Sequence, residues 1–190
     1  MQEHIIEYLN LFRKINDQDE TLILNSFKKV QYKIGEHLSK PGEITSKLFF
    51  INKGILKITI PDEEERLITY FFLKEHQFMS FLYSLYGGLP TEQGLQAACG
   101  VEVLVIEKKG LLALYLEVPY LKELIDKIAY LAMVDMIKMK NSYLAGGSLK
   151  RYELFLKNQP EVALNVMQID IASYLGIAPQ SLSRIRKKIS

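Results

Sequence analysis

The sequence is short of the residue types that build metal and redox sites. It has one cysteine, Cys99, three histidines and no tryptophan in 190 residues. A single cysteine can form no intrachain disulfide, no structural zinc site and no four-cysteine iron–sulfur cluster within one subunit. His4, His37 and His76 fall in different predicted elements and have no ligand partner at the required spacing. We therefore expect no metal and no cofactor, and we interpret Cys99 as a small packing residue in a strand.

Long apolar segments and catalytic motifs are also missing. No uncharged apolar run approaches the roughly 18 residues that span a bilayer, and the opening, MQEHIIEYLN, lacks the order of a signal peptide. No glycine-rich phosphate loop stands beside a lysine, and there is no nucleophile elbow. We expect a cytoplasmic protein that makes no membrane contact and is not an enzyme.

The net charge is small, but the charged residues are unevenly distributed along the chain. The formal net charge is only +2, yet the last seven residues, RIRKKIS, contain four basic residues and no acid. A basic segment of this kind either binds an anionic partner such as DNA or merely solvates the end of a helix. Composition alone leaves both readings open.

The spacing of apolar residues changes along the chain. The first thirty residues have helical spacing of apolar positions, and Asp19 could cap the second of two helices. From Val30 to about Lys108, glycines and prolines separate β-rich runs such as LFFINKGILKITI, RLITYFFL and VEVLVIE. Strands at intervals of about ten residues predict an antiparallel sandwich, barrel or roll. Its many aromatic residues are explained either by packing or by a small-molecule pocket.

A long helix is predicted after Pro119. One row of positions repeats at alternating steps of four and three residues, and a second apolar row contains Leu124 and Leu131. The helix thus has two surfaces to bury, one on the strands and one on the same helix of a second subunit; a helix packed wholly inside the monomer is the alternative. Replacing Ile128 and Ala132 with Glu is expected to give monomers. The first row is Leu121, Ile125, Ile128, Ala132, Asp135, Met139 and Ser142.

Gly146-Gly147-Ser148 follows this helix as a predicted hinge. It divides the chain into residues 1–118, with N-terminal helices and a sensor-like β domain, a dimerisation helix at 119–145, and a DNA-binding domain at 146–190.

The segment MQIDIASYLGIAPQSLSRIRKK matches a helix-turn-helix where that motif is sterically restrictive. Ala172 is small where the two helices must touch, and Gly176 tolerates the positive φ of the turn. Pro179 suits the first turn of the second helix. The apolar positions that should join the two helices are Ile171, Leu175, Leu182, Ile185 and Ile189.

The opposite face of the second helix is polar and basic, as a helix counted at about 100° per residue places it. Gln180 and Arg184 are the candidates for reading bases, because Gln pairs well with adenine and Arg with guanine. Ser181, Lys187 and Lys188 are candidate phosphate contacts, and Ser183 flanks the same face. The alternative is an amphipathic hairpin whose basic face is only solvated.

Two stretches resemble a known family. YKIGEHLSKPGEITSKLFFINKGILKITI resembles the opening of the cyclic-nucleotide-binding β-roll, and IASYLGIAPQSLSRIRKK resembles a helix-turn-helix. The order of roll, long helix and helix-turn-helix is similar to that of the catabolite activator and fumarate–nitrate regulator (Crp/Fnr) family. The resemblance implies an α+β fold with an N-terminal double-stranded antiparallel β-roll, a cyclic-nucleotide-binding-like jelly roll, followed by a dimerisation helix and a C-terminal helix-turn-helix.

The resemblance also implies a function. A member of this family is expected to be a homodimeric transcription regulator that binds double-stranded DNA at a pseudo-palindromic operator. The resemblance puts the family's DNA-reading positions on Pro179, Gln180 and Arg184. RNA polymerase and a small-molecule effector remain open as further partners. Activation or repression cannot be read from the residues.

The chain departs from the family's nucleotide pocket. Cyclic-nucleotide binders have a Gly-Glu pair and, about ten residues later, an Arg beside Ser or Thr, which hold the ribose and the cyclic phosphate. Here Ser80 and Phe81 replace the first pair, and Thr91 and Glu92 stand near the second; no arginine occurs between Arg66 and Arg151. We expect no binding of cyclic AMP. The roll either takes a non-nucleotide metabolite or serves only as a scaffold for constitutive DNA binding.

Overall fold

A computed structural model describes residues 3–189 of the chain. Helices α1 (Glu3–Asn10) and α2 (Asp17–Ser26) come first. The side chain of Asn16, not of Asp19 as expected, caps α2, because it accepts a hydrogen bond from the Asp19 amide at 2.9 Å.

The strands are β1 (Lys28–Tyr32), β2 (His37–Ser39), β3 (Lys47–Lys53), β4 (Leu56–Pro61), β5 (Leu67–Leu73), β6 (Phe78–Met79), β7 (Gly94–Ala97) and β8 (Val101–Glu107), with α3 (Leu82–Gly87) between β6 and β7.

The strands form two four-stranded antiparallel sheets, in the orders β1-β8-β3-β6 and β2-β7-β4-β5. Alternate residues of each strand point inward, so Phe49 and Ile51 of β3 meet Leu56 of β4 and Leu95 of β7 in one core. This is the predicted antiparallel roll, joined to helices in an α+β fold. Cys99 lies in the bend between β7 and β8, outside the strand in which it was expected, and its Sγ accepts a hydrogen bond from the Ile55 amide.

A second core lies on the outer face of β3 and β8. Phe50 and Leu104 point away from the roll interior and are covered by the N-terminal helices, by α4 (Lys108–Glu117) and by the start of α5 (Tyr120–Ser142). Strand β3 is therefore buried on both faces, which explains the unbroken apolar run LFFI.

Helix α5 has two unlike halves. In its first half Leu121, Ile125 and Ile128 are buried in the second core. The second half leaves Met133 and Ile137 about half exposed. The expectation that glutamates at Ile128 and Ala132 would act on a subunit interface was wrong for Ile128, whose side chain is only 2% exposed inside the monomer. A charge there would disrupt the roll core instead.

After a turn in which Gly146 has φ of 96°, four helices complete the described chain. The last two lie where the sequence predicts two helices joined by a tight turn, and the short helix α7 had no clear sequence signal. The four helices are α6 (Ser148–Asn158), α7 (Pro160–Asn165), α8 (Gln168–Leu175) and α9 (Pro179–Ile189).

Candidate nucleic-acid interface and roll cavity

The turn between α8 and α9 is built as the sequence predicts. Gly176 caps α8 in the left-handed conformation, with φ of 60°, and the Ile177 amide donates to the Ala172 carbonyl at 2.9 Å. Ala172 is fully buried where the helices approach. From α6, Nη1 of Arg151 donates to the Leu175 carbonyl at 2.7 Å, which satisfies a carbonyl that the end of α8 leaves open.

Helix α9 packs through one face. Leu182 is buried and Ile185 is half-buried, while Ile171 and Leu175 of α8 are buried against them. Ile189, which was expected on the same face, is 45% exposed because it lies at the end of the helix. The apolar seam between α8 and α9 therefore depends mainly on Leu182.

The other face of α9 is open to solvent and basic. Of the six predicted DNA contacts, only Ser181 is half-buried; the exposed ones are Gln180, Ser183, Arg184, Lys187 and Lys188. The Arg184 side chain bends back along the helix, where Nε donates to the Gln180 carbonyl at 3.4 Å. No acidic residue occurs between Ile171 and Ile189, so the charged side chains of α9 itself are all basic. Such a face attracts anions.

The opposite side of α8 rests on the roll, which the sequence did not indicate. Asp170 forms an ion pair with Lys57 of β4 at 2.5 Å, and both residues are buried. Oγ of Ser173 accepts a hydrogen bond from the Thr69 amide of β5 at 2.9 Å. The Tyr174 ring packs edge-on against Phe72, with centroids 5.1 Å apart. The available sequence signal was a lysine inside the apolar strand GILKITI.

A cavity of about 970 Å³ is lined by residues of both the roll and α5. Ser80, Phe81 and Thr91, the residues that depart from the nucleotide-binding pattern, all line it, whereas Glu92 is exposed outside the lining. Ser80 Oγ donates to the Lys47 carbonyl at 2.9 Å, and Thr91 Oγ1 accepts from the Gln93 amide at 3.1 Å. The hydroxyl groups of both lining residues thus already have protein partners.

The cavity's charges offer little to an anion. Its ionic lining groups are two lysines and two aspartates, Lys74, Lys138, Asp126 and Asp135. Lys74 already pairs with Glu161 at 3.3 Å. Phe81, where a glutamate would accept the ribose hydroxyl, is buried and cannot do so. Within the described chain, the lining therefore has no arginine, and it has no glutamate at position 81.

Within residues 3–189, no three His, Cys, Asp or Glu side chains come together in a way that could hold a metal ion. Nor does any helix in the described part of the chain have the length and apolarity to cross a membrane.

Comparison with known proteins finds a similarity that is centred on the roll. Residues 29–117 match the model of the cyclic nucleotide-binding domain. Over 104 residues, 55% of this chain, the sequence is 30% identical to a cGMP-dependent protein kinase of Toxoplasma gondii. Those residues correspond to about 10% of the kinase, so the chain spans a small part of that relative.

Solved structures match nearly the whole chain. The c-di-GMP responsive global regulator CLP of Xanthomonas campestris has a TM-score of 0.70 at 14% identity, covering 92% of this chain and 91% of that one. The Thermus thermophilus catabolite activator protein has a TM-score of 0.57 at 15% identity, covering 94% and 85%. Residues 29–117 are therefore similar to the cyclic nucleotide-binding domain, and the overall α+β fold of the chain is similar to that of these two regulators.

Proposed function

We propose that the protein is a homodimeric transcription regulator of the Crp/Fnr type, which binds double-stranded DNA through α9 in the cytoplasm. The observation that carries this proposal is the exposed, acid-free face of α9 on the second helix of a helix-turn-helix. Gln180 and Arg184 lie one turn apart on that face and could reach base edges in a major groove. Lys187 and Lys188 would neutralise phosphates.

A second subunit is supported by the far half of α5. Counted at about 100° per residue, Tyr130, Met133, Val134 and Ile137 form one stripe opposite the buried Ile128. Three of these side chains are at least 48% exposed. An apolar stripe on a long helix is a typical isologous interface, and a two-fold dimer would present two copies of α9 to successive major grooves.

Selection of bound sequences from a random duplex pool, with and without cell extract, tests this function. We expect pseudo-palindromes whose half-site centres lie roughly 10 base pairs apart, the repeat of one DNA turn. A dependence on extract would indicate an effector. Failure of the wild-type dimer to enrich any sequence, at low salt and with either preparation, would contradict the proposal.

The roll cavity favours a second candidate activity, sensing of a largely apolar metabolite. Its lining is rich in aromatic and aliphatic side chains, its charges balance, and Ser80 and Thr91 are engaged internally. Cyclic AMP should give no heat in titration calorimetry at micromolar concentration, because an unneutralised phosphate would be desolvated there. Low-micromolar binding would contradict this.

The neutral dye N-phenyl-1-naphthylamine gives the positive arm. It should fluoresce on binding the wild-type protein, and Ala129→Phe, which fills space in the lining, should reduce the signal. Leu116→Phe, at a position 83% exposed and outside the cavity, is the matched control and should leave it unchanged. Equal signals from both variants would place the dye elsewhere and contradict an apolar site here.

A further inference from the structure

We infer that Lys57 of the roll is a positioning residue for DNA binding, and that it acts by holding α8 in place through Asp170. The inference rests on the proposed function and adds to it the contact that orients the recognition helix. It begins from β4, where Leu56 and Ile58 point into the roll core and Lys57 points outward. An outward lysine is ordinarily solvated, but this one is only 8% exposed because α8 covers it.

The contacts of α8 match the register of the strands beneath it. Lys57 and Phe72 are cross-strand partners on β4 and β5. Asp170 and Tyr174, four residues apart, lie on one face of α8 and meet Lys57 and Phe72 respectively. The ion pair and the aromatic contact lie one helical turn apart on α8. Together they fix both the position and the rotation of the helix on the sheet.

Helix α8 covers the exposed edge of strand β5. This strand is an edge strand of its sheet, and its outer backbone groups would otherwise be unpaired. The Thr69 amide donates to Ser173 Oγ, and Nζ of Lys140, at the end of α5, donates to the Tyr70 carbonyl at 3.1 Å. Tyr70 is the additional residue of a bulge, since Thr59 pairs with Thr69 and Ile58 with Phe71. The sheet edge, α5 and α8 therefore meet at one place.

The ion pair is the contact on which docking depends most. Oδ1 of Asp170 is paired with Lys57, but Oδ2 is buried and has no hydrogen-bond partner among residues 3–189. Removing Lys57 would leave a buried carboxylate with no counter-charge, which is far more unfavourable than losing an exposed pair. The helix can relieve this by leaving the roll, since the glycines at 146 and 147 precede the four C-terminal helices as a hinge.

Docking supports DNA binding and does not obstruct it. With α8 on the roll, Gln180, Arg184 and Lys187 of α9 remain exposed. The contact thus leaves the DNA face open and holds it in one orientation, so an operator need not pay for ordering the helix-turn-helix. Loss of docking should therefore weaken operator binding.

Amide hydrogen exchange of the full-length chain measures docking without DNA. In Lys57→Met, the Thr69 amide should exchange at least ten times faster than in wild type, and affinity for the selected operator should fall about tenfold. In Lys57→Met/Asp170→Leu, which removes both charges together, both values should return to within about threefold of wild type. The Leu104 amide of the central strand β8 reports on global unfolding and should stay protected.

Glu161→Gln is the control, because it removes the exposed end of another ion pair between the roll and a C-terminal helix, the one with Lys74, and Glu161 lies outside the cavity lining. It should change neither the Thr69 exchange rate nor the operator affinity. The inference is overturned if Lys57→Met leaves Thr69 exchange unchanged, if exchange speeds up with no loss of operator affinity, or if the double variant is no closer to wild type than the single one. If Lys57→Met unfolds globally, the Thr69 exchange rate and the operator affinity of the double variant decide whether the inference holds. A wild-type protein that binds no duplex would instead refute the proposed function, with the exchange results unaffected.

Discussion

The roll cavity and the exposed face of α9 are both candidate binding surfaces, but they differ in what their polar groups do. In the cavity, Ser80 and Thr91 bond to the protein and Lys74 pairs with Glu161. On α9, Lys187 and Lys188 extend into solvent with no acid on the helix. The α9 face thus offers exposed positive charge, whereas these polar groups of the cavity are already engaged by the protein.

Breaking the dimer should have the largest effect, because α9 is proposed to work only in pairs. Met133→Glu/Ile137→Glu places two charges in the exposed stripe of α5 and should give folded monomers whose operator affinity falls more than a hundredfold. Sedimentation velocity and a binding titration measure the two outcomes. Leu116→Glu, on the exposed side of α4, is the control and should remain dimeric. A wild type that is monomeric at micromolar concentration would remove the basis of this prediction.

The turn of the helix-turn-helix should be the next most sensitive point. Gly176→Ala forces a side chain into the left-handed region and should cost about 1–3 kcal/mol, which thermal unfolding would detect. Gly100→Ala is the control, since a Cβ there meets no neighbour and its φ is not positive. Equal losses in the two variants would mean that the turn is not strained by the added Cβ.

Much of the secondary structure around both surfaces could be predicted from the sequence, because local residue patterns encode it. The strands, the start of α5 after Pro119 and the Ala172 and Gly176 positions follow from periodicity and turn chemistry. The partners of Lys57 and the burial of Ile128 could not be predicted, since each depends on elements far apart in the chain. Helix α7, with six residues, is too short for its apolar spacing to repeat. The six DNA contacts and the domain limits remain predictions.

Removing a proposed phosphate contact should separate the contribution of charge to DNA binding from that of base reading. Lys187→Ala should weaken binding to operator and random duplex alike and reduce the slope of log K against log salt by about 1. Lys138→Ala, in the cavity lining, is the control and should leave the slope unchanged. A slope unaltered by Lys187→Ala would place this lysine away from phosphate.

The smallest expected effect is in the roll, at Glu102. Hydrogen bonds from Lys29, with help from Asn52 and Gln31, lower the pKa of this carboxyl to about 2. The folded pKa is below that of the unfolded chain, so the ionised group stabilises the fold above about pH 4.3 and loses this contribution as the pH falls toward 2. Glu102→Gln should lower the Tm modestly at pH 7, and the difference should narrow below pH 4. A difference that is constant with pH would contradict the pairing.

Arg184→Ala, measured on the selected operator and on a random duplex of equal length, tests DNA reading by α9 most directly. Loss of a bidentate base contact should cost about 1–3 kcal/mol on the operator and relax the preference at one position in each half-site. Binding to the random duplex should change much less, by the loss of one charge. An equal loss of affinity for both duplexes would contradict base reading by Arg184 and would favour a helix whose basic face is only solvated.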